Sequence, residues 1–148
     1  MVSSEKFITS SKKNSLNSIN YLQFTTDDSQ NKKDMNHKDL DVWKKSMDLV
    51  ETIYKLTQKF PESEKFGLTS QMRRCAVSIP SNIAEGAARK GDKELIHFLH
   101  IALGSLSELE TQYLIAMRLA FIEKEDIVEE QMIDVKKLLL GFRNYLNK

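Results

Sequence analysis

The sequence predicts an all-α fold, an antiparallel up-and-down four-helix bundle, on three observations. Apolar residues after Asp34 recur at alternating spacings of three and four, turn signals cut that pattern into four pieces, and no stretch alternates as a strand does. The pieces are joined by short connections, which force consecutive helices to lie side by side.

The first helix starts near Asp39, and Trp43, Met47, Val50, Tyr54 and Thr57 form its expected buried stripe. Phe60-Pro61 ends it, because a residue before proline is pushed out of the helical region, and Glu62 to Gly67 reads as a loop. Leu68, Met72, Cys75, Ile79 and Ile83 mark a second helix running to about Arg89. Pro80 lies inside it, lacking an amide donor and crowding the preceding turn, so a kink is expected there. Lys90-Gly91-Asp92 is the next turn, with Asp92 as the expected N-cap and Glu94 favourable in the first turn.

The third helix is the longest, with Leu95, Leu99, Ala102, Leu106, Leu109, Tyr113, Ala116 and Ala120 in register. Glu123 to Asp126 is a further turn, after which Val128, Met132, Val135, Leu139, Phe142 and Leu146 form the seam of the fourth helix. Ile96, Leu103, Leu114, Met117, Phe121, Ile127, Leu138 and Tyr145 are apolar positions outside the seams. One bundle core is not expected to bury them all, which points to self-association. Small residues at Ala84, Gly86, Ala87, Ala88 and Gly104-Ser105 are expected to let helices approach closely.

Residues 1–34 are rich in Ser, Asn, Lys and Thr and read as a poorly ordered polar tail preceding a 35–148 bundle domain. The tail contains no apolar run resembling a signal peptide or membrane span, and Met35 is an alternative start. A single cysteine provides no disulfide framework and fits a reducing, cytoplasmic compartment. The chain carries 22 basic and 21 acidic residues, a balance that argues against a broad polyanion-binding surface but permits a local basic patch.

Five segments carry a specific resemblance: Asp39-Leu40-Asp41-Val42-Trp43, Glu64-Lys65-Phe66-Gly67-Leu68-Thr69, Gln71-Met72-Arg73-Arg74, Ser78-Ile79-Pro80-Ser81-Asn82-Ile83-Ala84-Glu85-Gly86 and Gly104-Ser105-Leu106-Ser107-Glu108-Leu109-Glu110-Thr111. Together they resemble the 23S rRNA-intervening-sequence protein family over nearly everything after Asp34. The resemblance implies a bacterial four-helix bundle assembled as a ring-like homopentamer. The accessory variability proteins of diversity-generating retroelements are similar in fold, and they bind nucleic acid and a reverse transcriptase. RNA or a nucleic-acid enzyme is thereby an expected partner, alongside further copies of the chain.

Three sets of residues are candidates for function. Gln71, Arg74, Ser78, Ser81, Asn82, Glu85 and Arg89 make a polar stripe on the second helix, expected to meet Ser105, Glu108 and Gln112 at a subunit contact or at the ring's inner surface. The stripe's hydroxyl and amide groups are also placed to serve the carbonyl that Pro80 frees. Arg73, Arg74, Arg89, Lys90 and Lys93 are the cations placed to reach phosphates. Glu94-Leu95-Ile96-His97 has the Glu-x-x-His spacing of di-iron bundles, with His100 one turn on, which frames the alternative of a metal-dependent bundle enzyme. No second such motif occurs, and Cys75 falls on an apolar seam with no adjacent histidine, so the expectation is a non-enzymatic protein without cofactor or small-molecule substrate.

Overall fold

Four helices carry the structure: α1 (Asp41–Thr57), α2 (Leu68–Ala88), α3 (Asp92–Arg118) and α4 (Asp126–Leu146). The computed structural model describes residues 35–148; the tail expected over 1–34 lies outside the described residues. Among the described residues there is no strand, and no helix is long and apolar enough to cross a membrane.

Each helix packs on its sequence neighbours and α1 packs on α4, closing a square. The α2–α3 contact is the most extensive. Cross-helix pairs fix the directions: Ser78 meets Ser105 while the earlier Cys75 meets the later Glu108, so α2 and α3 run antiparallel. The square encloses one core, built on Val42, Leu49 and Ile53 of α1, Met72, Ile79 and Ile83 of α2, Leu99, Leu106 and Leu109 of α3, and Val128, Val135 and Leu139 of α4.

The expected seams of α2, α3 and α4 are observed, apart from the terminal positions Leu68 and Leu146, which are only partly buried, and Ala120, which is exposed, but that of α1 is shifted by one residue. Its buried stripe is Val42, Ser46, Leu49, Ile53 and Leu56, with Thr57. Trp43, Met47, Val50 and Tyr54 lie one helical step, about 100°, to the side. They stay partly in water, Met47 at 40 % and Tyr54 at 41 % exposure. Ser46 conceals the true stripe, because a hydroxyl looks unsuited to a core. It is fully buried there and donates to the Val42 carbonyl at 2.6 Å, which removes the desolvation penalty.

Two helix ends also differ. Gly91, at φ 103°, holds the N-cap position of α3, and Asp92 is the first helical residue. The α3 helix stops at Arg118, and Ala120 takes a left-handed φ of 57° in the turn that follows. There the Phe121 amide donates to the Ala116 carbonyl and the Ala120 amide to the Met117 carbonyl, both at 3.0 Å, the bond pattern of a Schellman cap.

The α2 helix runs unbroken through Pro80. The proline has no N–H to give the Ala76 carbonyl, and the side chains after it reinforce the adjoining turn. Ser81 Oγ donates to the Val77 carbonyl at 2.8 Å and Asn82 Nδ2 to the Ser78 carbonyl at 2.7 Å. The stripe therefore serves the carbonyls next to the one that proline frees.

Of the small residues, Gly86 permits the close approach. A Cβ there would meet Phe98 Cβ at 2.8 Å and Leu95 Cδ1 at 3.0 Å. Gly104 does not, for it is exposed and a Cβ would touch nothing within 4 Å. The apolar positions outside the seams divide as well: Leu114 and Ile127 are exposed, whereas Ile96, Leu103, Met117, Phe121, Leu138 and Tyr145 are partly buried.

Candidate functional site

The centre of the polar stripe faces α3. Ser78 and Ser105 hydroxyls meet at 2.9 Å, and Asn82 Nδ2 adds a 2.9 Å bond to Ser78 Oγ. One turn along, the Cys75 thiol donates to Glu108 Oε2 at 3.3 Å, and Gln112 borders the same thiol with its Oε1 buried and without a hydrogen-bond partner. Burial pushes the Cys75 thiol above its ordinary value, and the hydrogen bond to Glu108 acts in the same direction. Such a thiol is a packing group rather than a nucleophile. Ser78, Asn82, Ser105 and Glu108 thus join within one chain, while Gln71, Ser81 and Glu85 are exposed.

The expected cation cluster separates into two groups. Arg73 and Arg89 lie about 24 Å apart along the helix, at 1.5 Å per residue. Arg73 turns toward α1, where its Nε donates to Thr57 Oγ1 at 2.9 Å and its guanidinium stands 4.7 Å over the Tyr54 ring. Arg74, one residue on, points outward and is exposed. At the α2–α3 corner Arg89 bonds Glu85 at 2.7 Å and lies 5.6 Å over the Phe98 ring, which takes up much of its charge locally. Lys90 and Lys93 are exposed beside it and form no ion pair among the described residues. Sequence reasoning could not separate Arg73 from Arg74, because the separation depends on which neighbour each side of α2 receives.

Glu94, His97 and His100 are all exposed on α3, and the His97 ring packs edge-on against its neighbour Phe98. Among the described residues, no group of three His, Cys, Asp or Glu side chains is placed to hold a metal ion.

Sequence reasoning also missed an apolar surface. Trp43, Met47, Val50 and Tyr54 lie on the side of α1 that Arg73 reaches across to, and Val77, at 40 % exposure, stands one turn along α2 from Arg73. The spacing that assigned these α1 residues to the core is equally the signal of a second, outer stripe.

An antiparallel square of four helices, with a polar inter-helix seam and apolar side chains left on its outer faces, defines the class: a small helical-bundle protein. The family model described as 23S rRNA-intervening sequence protein matches residues 38–141, and the chain belongs to that family. A solved structure from Bacteroides thetaiotaomicron, described as a protein of unknown function from the S23 ribosomal protein family, is similar at 25% identity and a TM-score of 0.64. The match covers 70% of this chain and 95% of that one. A search of curated proteins finds no match.

Proposed function

We propose that the chain is a non-enzymatic, self-associating interaction module of the cytoplasm, assembled as a homopentamer, with an accessory role beside RNA or a nucleic-acid enzyme. The observation that carries this reading is the outer apolar stripe of α1 with Val77, which a bundle acting alone leaves in water. The family description, which refers to an insertion in 23S rRNA, and the ribosomal family of the similar structure support the RNA side of the reading. Arg74, Lys90 and Lys93 are the candidate cations left exposed without an ion pair among the described residues, and repetition around an assembly multiplies a contact that is weak in each copy.

Light scattering of the purified full chain, with and without a structured RNA at low and moderate salt, tests both parts. The expected result is a five-chain particle that binds RNA at low salt and releases it as salt rises. In the Lys90→Glu/Lys93→Glu variant, RNA binding falls while the particle persists. A monomer overturns the assembly reading, and a particle indifferent to RNA overturns the nucleic-acid reading.

A further inference from the structure

We infer that the RNA is held single-stranded, with an unpaired base stacked on the Phe66 ring and the adjoining backbone met by Lys65 and Arg74. The inference rests on the RNA reading proposed above and adds which form of RNA is taken and by which side chains. Among the described residues Phe66 is the most exposed large apolar side chain, at 90 % against 55 % for the next, Leu119. It stands on the connection between α1 and α2, which its own hydrogen bonds hold in one shape. The amides of Glu64, Lys65 and Gly67 donate to the carbonyls of Pro61, Glu62 and Glu64 at 2.9, 3.1 and 3.0 Å, and Glu64 Oε2 accepts from the Leu68 amide at 2.9 Å. Gly67 makes room for that carboxylate, since a Cβ there would stand 2.6 Å from it. The ring is thus fixed outward in water before any partner arrives, so binding has little chain to order.

A ring so placed offers a bare π face with a cation beside it, the pairing that a base and its phosphate require. Lys65 Nζ lies 5.7 Å from the ring centroid, and its ion pair with Glu62, at 3.9 Å between exposed side chains, is weak enough to exchange for a phosphate. Glu64, the other acid beside the ring, is turned onto the α2 backbone. Arg74, exposed and without an ion pair among the described residues, lies about 9 Å along α2 from Leu68. The association of cation and aromatic ring continues along the helix, with Arg73 4.7 Å over Tyr54 and Arg89 5.6 Å over Phe98, but those guanidiniums already occupy a face of their rings. Phe66 is the ring left open. Base faces lie against one another inside a duplex, so this surface selects a single strand.

Fluorescence anisotropy of a short mixed-sequence RNA, single-stranded or annealed to its complement, tests this with the full chain. The single strand is expected to bind more tightly than the duplex. Phe66→Leu, which keeps an apolar side chain and removes the ring, should weaken single-strand binding roughly tenfold and leave its salt dependence unchanged, whereas Arg74→Gln should reduce that salt dependence. Phe66→Trp should bind as the unaltered chain does, and its added indole emission, above that of Trp43, should be quenched by the single strand. A Phe66→Leu variant of full affinity, an unquenched indole, or a duplex bound as tightly as the single strand overturns the stacking. The RNA reading survives any of these so long as Lys90→Glu/Lys93→Glu loses binding. A chain that binds neither form of RNA removes the RNA reading and this inference with it.

Discussion

The two ends of α3 make their turns by different means. At its N-terminal end, against α2, Gly91 supplies the positive φ without a Cβ penalty, and Gly86 lets Phe98 and Leu95 close onto the backbone of α2. At its C-terminal end, before α4, Ala120 takes the left-handed conformation despite its Cβ. That turn is held by side chains: Tyr113 Oη accepts from the Glu125 amide at 2.8 Å, the Phe60 and Phe121 rings lie 5.8 Å apart, and Lys59 pairs with Glu125. The first corner obtains its precision from missing atoms and the second from added contacts. A corner of the first kind is broken by filling it, and one of the second kind by removing a partner.

The largest expected effect comes from filling the first corner. Gly86→Val places atoms where less than 3 Å separates a Cβ from Phe98, and overpacking of this kind should cost about 1–3 kcal/mol. Urea denaturation followed by circular dichroism would measure it, and an unchanged midpoint would contradict the close approach. The second corner should respond to Tyr113→Phe, which leaves the Glu125 amide without its acceptor at a cost of about 1–2 kcal/mol, read from the same denaturation curve. The smallest change has the opposite sign. Ala120→Gly relieves the left-handed backbone and should stabilise the protein by about 1 kcal/mol, seen as a higher melting temperature. A loss of stability there would mean that the surrounding contacts, not the backbone, set the shape of the turn.

These corners also separate what the sequence disclosed from what it withheld. Phe60-Pro61, Lys90-Gly91-Asp92 and Glu123–Asp126 each mark a real connection, since proline, glycine and runs of charged residues break an apolar pattern locally and need no knowledge of neighbours. The seams of α2 and α4 were likewise legible, because each has one dominant apolar stripe. On α1 two apolar stripes of equal spacing compete, and only the neighbours decide between them. Ser46 made the true stripe look interrupted, and its bond to the Val42 carbonyl is invisible before the helix exists. The polar site was partly legible for a related reason. Periodicity put Ser78, Asn82, Ser105 and Glu108 on helix sides that could meet. The division of Arg73 from Arg74 required knowing that α1 lies on one side of α2 and α3 on the other.

The α1 shift has a practical consequence in spectroscopy. The chain contains one tryptophan, Trp43, and it sits at the head of the outer stripe with the His37 ring edge-on at 5.3 Å. Its indole is only partly shielded from water, so covering that face would move its emission toward shorter wavelength. The protein carries its own optical reporter of whatever settles there, with no label attached.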